Sequence, residues 1–191
     1  MDKKEVFRKE LNYIKNDEIK YSAEYMISIL PDYFFEIPAS STGKYHPSFA
    51  GSQNGLVKHT KVAVRIAYEL LSNPSLNKFT SEEKDLIIMS LILHDGLKSG
   101  LEHSKYTKVE HPLLIANYIK ENKDNLKLTS EQLDKVCNMI SSHMGPWNTD
   151  FNGIEVLPVP KTALERFVHM CDYLSSKKFL DVEFDNTDIK Y

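Results

Sequence analysis

The sequence predicts an all-α fold of about seven helices with one long loop, and it leaves room for one small hairpin. Two observations favour this fold class. Apolar residues recur at spacings of three and four through most of the chain, which is the period of a helix with one buried face. The main interruptions of that pattern contain Pro, Gly and Ser, as turns and loops do.

Two helices are predicted before the long loop, over residues 4–15 and 18–30. Pro31 ends the second of them, because proline cannot continue a helix. The loop extends to Gly55 and is rich in Pro, Ser and Gly. Loops of this length in a compact domain are often functional. A helix over residues 56–71 follows, with its Val, Ala, Ile and Leu residues on one face.

Four more helices are predicted in the rest of the chain. They run over residues 80–94, 110–122, 130–140 (with Ser130 as N-cap) and 161–174. Thr80 and Glu83 have the spacing of a capping box at the start of the first. Asn152 and Gly153, in the irregular stretch before the last helix, indicate a tight turn or a small hairpin.

Composition excludes several classes of protein. The chain has 191 residues, with 41% hydrophobic and 27% charged residues, as expected for one globular domain. Its net charge of −3 excludes a basic footprint over the whole surface, although not a local basic patch. No stretch of about 18 apolar residues is present, and the N-terminus lacks an apolar signal-peptide core. The two cysteines make no disulfide framework, so we expect a cytoplasmic protein.

Six residues of metal-ligand type occupy positions that the helical pattern assigns to buried faces. They are His59, His94, Asp95, His111, His143 and Asp172. One buried histidine is usually a hydrogen-bonded part of a core, but each buried ionisable group costs several kcal/mol unless it is paired or bound to metal. Convergence on a shared site explains all six at once. Imidazole and carboxylate ligands together suit Mn, Fe, Co, Ni or Zn.

The pair His94 and Asp95 at a helix end suggests a centre of two metals. The Asp95 carboxylate could bridge two ions while His94 holds one of them. Two ions about 3.5–4 Å apart can bind a phosphoryl group and generate a nucleophile from water. We therefore expect a divalent transition metal as cofactor, with two ions per chain.

These residues resemble the HD superfamily of metal-dependent phosphohydrolases. The run LILHDGLK (91–98) is similar to the family's apolar helix, which ends in His-Asp and is followed by a lysine. The run GLVKHT (55–60) resembles the segment that carries the first histidine. Asp172 matches the last ligand of the core site, and His111 and His143 match the further histidines of two-metal members.

The resemblance covers roughly residues 50–178. With SSHMG (141–145), the segment 55–67 is nearest in motif to the HD domain of certain bacterial 3′–5′ exoribonucleases. Membership implies a helical bundle with the metals at its centre. We expect a single HD-type domain over residues 1–191, with a helical extension and loop at 1–49 and a tail at 179–191.

The resemblance implies a set of roles for the six residues. His59, His94, Asp95 and Asp172 would hold the first metal, and Asp95, His111 and His143 would hold the second. A hydroxide that bridges the metals would attack phosphorus, and Asp172 or a water that it holds would transfer a proton. Lys98 would contact a substrate oxygen and neutralise developing negative charge. Asp95, Lys98 and Asp172 are therefore the predicted catalytic residues.

Three other residues are candidates for substrate binding together with Lys98. Lys44 and His46 lie in the long loop and could close over the site to contact a phosphate or a base. Trp147, the one tryptophan, could stack on a base. His169 lies off the inward row of the last helix, so we expect a structural or exposed residue there.

The predicted partner is a small phosphorylated molecule, most simply a nucleotide, and short RNA or DNA ends stay open as substrates. Near-neutral charge and only three arginines favour a small molecule over long RNA. No membrane association is expected, and homo-oligomer formation is left open. Two alternatives also fit the ligand set: a di-iron oxygenase of the HD type, and a non-catalytic module that senses a nucleotide.

Overall fold

The computed structural model describes residues 2–40 and 46–190 and is predominantly helical. The described residues form eight α-helices: α1 (Lys3–Val6), α2 (Arg8–Leu11), α3 (Asp17–Ile29), α4 (Gly55–Ser72), α5 (Ser81–Leu93), α6 (His111–Glu121), α7 (Ser130–Ser141) and α8 (Ala163–Ser175). Short 3-10 helices cover Asp32–Phe35, Ser48–Ala50 and Lys123–Asn125. Two short strands, β1 (Phe184–Asp185) and β2 (Asp188–Ile189), pair antiparallel. The all-α prediction is confirmed.

The first predicted helix, residues 4–15, is two short helices, which is why there are eight and not seven. Phe7 separates α1 from α2 with non-helical backbone angles of φ −107° and ψ 18°. Its side chain is fully buried, and its ring lies 6.2 Å from that of Phe34 and 6.3 Å from that of Phe35. The break therefore places Phe7 in an aromatic cluster beneath the long loop.

Capping boxes begin three of the long helices. The predicted box of Thr80 and Glu83 is confirmed at α5, and Thr162 begins α8 in the same way. The prediction of Ser130 as the N-cap of α7 is wrong by one residue. Thr129 is the N-cap, because its hydroxyl accepts from the backbone N–H of Gln132 while the Gln132 side chain accepts from Thr129 N–H. Each such cap contributes about 1 kcal/mol to the stability of its helix.

Helix α5 is the central element of the bundle. Every residue from Asp85 to Gly100 is buried, and α5 packs against α3, α4, α7 and α8. Gly96 allows close packing directly after this helix, because a Cβ there would lie 2.7 Å from Leu30 Cδ2 and 3.0 Å from Ile115 Cδ1. The residues that follow α5 are thus held in the middle of the fold.

None of the described helices combines the length and apolarity that crossing a bilayer requires.

The hairpin of the structure is not at the predicted place. The turn at Asn152 and Gly153 carries one antiparallel bridge, between Thr149 and Glu155, but no strands. The hairpin of the structure, β1–β2, lies in the tail, where no element was predicted. It packs against α4.

Candidate metal centre

The six predicted ligand residues converge at the centre of the bundle. His59 comes from α4 and Asp172 from α8, whereas His111 is the first residue of α6. His94 and Asp95 directly follow α5, and His143 follows the last turn of α7. The five other than Asp172 are at most 2% exposed. Five helices therefore deliver imidazole and carboxylate groups to one buried place.

One side of the centre is built around Asp95 Oδ2 and Asp172 Oδ1. His59 Nε2 lies 3.7 Å from Asp95 Oδ2 and 2.9 Å from Asp172 Oδ1. His94 Nε2 lies 3.5 Å from Asp95 Oδ2 and 3.3 Å from Asp172 Oδ1. Two imidazole nitrogens and two carboxylate oxygens thus surround one position.

The other side of the centre is built around the second oxygen of Asp95. His111 Nε2 lies 3.0 Å and His143 Nε2 lies 3.7 Å from Asp95 Oδ1. The two imidazole nitrogens are 3.3 Å apart. Asp95 therefore presents one carboxylate oxygen to each pair of histidines, which is the arrangement that a bridging ligand needs.

Backbone carbonyls orient three of the four histidines. In each, Nδ1 lies 2.7 Å from the carbonyl oxygen of the residue three positions earlier: His94 and Leu91, His111 and Lys108, His143 and Ile140. A carbonyl only accepts hydrogen bonds, so each Nδ1 carries the proton. In the neutral form of each ring, Nε2 then carries the lone pair, and this atom faces the carboxylates. Such outer hydrogen bonds fix both the tautomer and the ring orientation of metal-binding histidines.

Ser175 does the same for His59. Its hydroxyl lies 3.0 Å from His59 Nδ1 and donates its one hydrogen to the backbone carbonyl of Asp172, at 2.7 Å. Toward His59 the hydroxyl can therefore only accept, so Nδ1 of His59 is also the protonated nitrogen. All four imidazoles consequently offer Nε2 to the centre.

Lys98 supplies the positive charge nearest to the carboxylates. Its ammonium group contacts Asp95 Oδ2 directly. Burial opposes ionisation of Asp95, but Lys98 and then His94 outweigh it and hold the pKa of this carboxyl well below its usual range. Burial likewise opposes ionisation of Asp172, but the neighbouring His59 and His94 outweigh it and hold the pKa of this carboxyl well below its usual range. Both side chains are therefore carboxylates, the form in which they bind cations.

The residues fit a divalent transition metal. Among the described residues, His94 Nε2 and Asp95 Oδ1 are buried without a hydrogen-bond partner. Leaving such an atom unsatisfied costs about 1–3 kcal/mol, and a metal ion would remove that cost. Burial lowers the pKa of His143 to about 3, so this imidazole is neutral and able to bind metal at ordinary pH. Three overlapping sets of these residues have donor atoms within 4.8 Å of one another.

A cavity of about 540 Å³ opens above the centre. Ligand pockets in proteins span about 300–1,000 Å³. Its floor includes His59, Asp95, His111, His143 and Asp172. The centre is therefore buried but reachable from solvent through this cavity.

Three of the four predicted substrate-binding residues line this cavity. They are Lys98, His46 and Trp147, whereas Lys44 lies outside the described residues. The His46 ring stands 4.9 Å from the His59 ring, nearly at a right angle to it. Burial, and then the proximity of His59 and Lys98, lower the pKa of His46 to about 3. His46 is thus a neutral imidazole beside the centre.

One wall of the cavity comes from a stripe of α8 and the residues just after it. His169, Tyr173 and Lys177 are spaced by four residues and lie beside Asp172 and Ser176, as neighbours on one helix face do. His169 is held by its Nδ1, 2.7 Å from the carbonyl oxygen of His143. Sequence reasoning placed His169 off the buried row, but this half-buried ring borders the cavity.

Sequence reasoning also missed Ser175, Tyr173 and Lys177. The spacing by four from His169 was a usable signal for Tyr173 and Lys177, since it defines a second face of the helix next to Asp172. Ser175 gave no such signal, because its role depends on a contact with a residue 116 positions away.

Gly145 makes room for the His169 ring. It adopts a positive φ of 61°, and a Cβ at this position would lie 2.2 Å from His169 Cε1. The glycine thus permits both the turn after α7 and the close approach of the ring. The turn then delivers Trp147 to the edge of the cavity.

The family-model comparison agrees with this architecture. Residues 56–177, more than half of the chain, match the model described as HD domain. No curated protein and no solved structure gives a significant match. The match spans α4 to α8 and the turn after it, which together contain all six converging residues. The chain therefore belongs to the HD-domain family, a superfamily of metal-dependent phosphohydrolases that bind divalent metals.

Proposed function

We propose that the protein hydrolyses a phosphoester of a nucleotide at a centre of two divalent metal ions. The observation that carries the proposal is the position of Asp95. Its Oδ2 atom faces His59 and His94, and its Oδ1 atom faces His111 and His143. One carboxylate could therefore be shared by two ions, each with two imidazole ligands.

These distances support the following ligand assignment. His59, His94, Asp95 and Asp172 would hold one ion, and Asp95, His111 and His143 would hold the other. When bound, the ions would supply Lewis acidity and a water molecule of lowered pKa as the nucleophile. Nitrogen and oxygen ligands together suit Mn, Fe, Co, Ni or Zn. Metal analysis decides among these five.

Lys98 and His46 are the residues that we assign to the phosphoryl group. The Lys98 ammonium lies on the cavity side of Asp95, where it could bind a non-bridging oxygen and stabilise charge that develops in the transition state. His46 is neutral and its buried Nδ1 has no hydrogen-bond partner among the described residues. It is therefore free to hydrogen-bond a substrate oxygen. The proton-transfer role of Asp172 stays a prediction.

The rest of the cavity favours a nucleotide over a simple phosphate ester. Trp147 is 54% exposed at the cavity edge, and aromatic side chains at such places can stack on bases. Small nucleotides of any of three kinds fit this description: a mononucleotide, a cyclic nucleotide or a short oligonucleotide end. Whether copies of the chain associate is independent of this proposal.

Hydrolysis assays test the proposal. The chain, purified without chelator, is assayed with Mn²⁺, Co²⁺ or Ni²⁺ on mononucleotides, cyclic nucleotides, dinucleotides and bis-nitrophenyl phosphate. We expect metal-dependent release of phosphate or nucleotide, abolished by EDTA and restored by the metal. Turnover that survives complete removal of metal would contradict the proposal. Two bound irons with oxygen uptake and no hydrolysis would support the oxygenase instead. Nucleotide binding without turnover under any metal would support the sensing module.

A further inference from the structure

Three side chains outside the metal centre form a continuous surface at the cavity edge. The rings of Trp147 and Tyr173 stack with centroids 5.5 Å apart and planes 14° apart. Lys177 Nζ lies 3.4 Å from the Tyr173 ring centroid and 5.9 Å from that of Trp147. We call Trp147, Tyr173 and Lys177 the rim. All three line the same cavity as Asp95 and Lys98.

The two aromatic side chains of the rim are exposed to solvent although they stack on each other. Trp147 is 54% exposed and Tyr173 is 37% exposed, so the stacked pair still presents much of its surface to solvent. Packing alone would favour burying these rings, because each buries a large apolar area. An exposed aromatic face beside a reactive centre can instead stack on a flat ligand group.

Lys177 differs from Lys98, the other lysine of the cavity lining. Lys98 is paired with Asp95. Within the described part of the chain, Lys177 makes no ion pair, and its ammonium rests over the Tyr173 ring. Its charge is therefore available to an anionic group of a ligand. Two bound metals would make the floor of the cavity attractive to one phosphate, while Lys177 would serve a second one.

The position of the rim along α8 indicates on which side of the metal centre that second group would lie. Lys177 follows Asp172 by five residues, and the backbone continues the last turn of α8 through a hydrogen bond from Lys177 N–H to the Leu174 carbonyl. At about 1.5 Å of rise per residue, the two positions are separated by roughly 7 Å along the helix direction. A nucleotide can extend over that distance between two of its phosphates.

We propose that the rim is a base-and-phosphate subsite, and that the preferred substrate is a nucleotide with a phosphate beyond the one hydrolysed. This inference rests on the proposed function. In it the base stacks on Trp147, the scissile phosphate lies at the metal centre, and Lys177 binds the further phosphate. Dinucleotides and nucleoside bisphosphates belong to this class.

The single tryptophan allows binding to be measured apart from turnover. The metal-loaded protein is mixed rapidly with adenosine 3′,5′-bisphosphate, adenosine 5′-monophosphate or ribose 5-phosphate. The fluorescence of Trp147, the one tryptophan, is recorded after mixing. We expect quenching by both nucleotides, with tighter binding of the bisphosphate, and no quenching by the base-free ester. Equal quenching by ribose 5-phosphate would overturn the stacking role.

Substitution of Lys177 tests the second phosphate. K177Q should weaken binding of the bisphosphate about tenfold, as loss of a hydrogen bond to a charged group does, and leave the monophosphate unchanged. A matched control is K127Q, since Lys127 lies 4.5 Å over the ring of Tyr21 but outside the cavity lining. Equal weakening of both nucleotides by K177Q, or no weakening of either, would overturn the role of Lys177.

Kinetics of Trp147 variants complete the test. W147A should raise KM for nucleotides about tenfold, because base stacking contributes about 1–3 kcal/mol, and leave kcat/KM for ribose 5-phosphate unchanged. W147F should restore most of the loss. Selective quenching without hydrolysis of any ester would support the rim and contradict the proposed hydrolase. Hydrolysis of ribose 5-phosphate as efficient as that of nucleotides would support a hydrolase and contradict the rim as a base subsite.

Discussion

His59 and Lys61 are two residues apart on α4, yet they belong to polar clusters of opposite kinds. Lys61 is fully buried, and its ammonium lies 2.7 Å from Asp188 Oδ1 and 3.6 Å from Glu10 Oε2. Lys9 also reaches Asp188, at 3.2 Å. Two acids and two bases balance one another in this cluster.

The metal centre has no such balance. Its four imidazoles donate hydrogen bonds from Nδ1 to oxygen atoms outside the centre. Their Nε2 atoms face two carboxylates. Lys98 is the cation in contact with Asp95, and among the described residues Asp172 is paired with imidazoles alone. A polar cluster whose charges balance thus joins parts of a fold, here β2 to α4, whereas an unbalanced one is suited to receive cations.

The largest effect should come from removing the shared ligand. D95N replaces the carboxylate with a neutral amide that offers one oxygen, so both ions should be lost and turnover should fall by at least about 10³-fold. Metal analysis and hydrolysis assays measure this. The control is D85N, because Asp85 is a buried carboxylate that accepts from the backbone N–H groups of Lys15 and Asn16 instead. A D95N protein that keeps two ions would contradict the bridging role.

Removing one histidine should separate the two metal positions. H143A should lose one ion per chain and keep the ion between His59 and His94, with a fall in turnover of roughly 10²-fold. Metal analysis after dialysis gives the stoichiometry. The exposed His103, whose ring lies tilted against that of Tyr33, provides the control H103A. Loss of both ions in H143A, or of neither, would show that the two positions are not arranged as we infer.

In the balanced cluster, the loss should appear in stability and not in metal content. K61M leaves Glu10 buried without its cation, which should lower the free energy of unfolding by about 3 kcal/mol. Denaturant titration measures this, while the folded protein should still bind two ions. Adding E10Q to K61M should recover part of the loss. A stable K61M protein that has lost metal would mean that the two clusters are coupled through α4.

The smallest effect should come from Ser175, which touches no metal itself. S175A removes the acceptor for His59 Nδ1–H and should weaken metal binding about tenfold, as loss of outer hydrogen bonds does. The ion of the His59 side should be the one affected in competition with a chelator. Ser142 is a matched buried serine whose hydroxyl donates to the Asn138 carbonyl, so S142A serves as the control. Equal affinities in S175A and the unaltered protein would contradict an orienting role.

Most of the helices could be predicted from the sequence because their signals are local. The capping box of Thr80, the apolar run of α5 and the proline that stops α3 are each contained within a few residues. The break at Phe7 could not be predicted, since it depends on the aromatic cluster with Phe34 and Phe35. The tail hairpin was missed for a similar reason: Asp188 finds its partner 127 positions away, in Lys61.

The candidate site divides in the same way. The six ligand residues stood out because ionisable groups on apolar helix faces are costly unless they share a purpose. Tyr173 and Lys177 did not stand out, because an aromatic residue and a lysine near a helix end are ordinary on a solvent-exposed face. Tyr173 and Lys177 face a cavity because the turn at Gly145 carries Trp147 to the C-terminal end of α8.

The number of metal ions bound per chain distinguishes a centre of two metals from a centre of one. Equilibrium dialysis of the protein against Mn²⁺, followed by elemental analysis, gives this number together with that of the H143A variant. We expect two ions for the unaltered chain and one for H143A. One ion or none at saturation in the unaltered chain would contradict a centre in which Asp95 is shared by two metals.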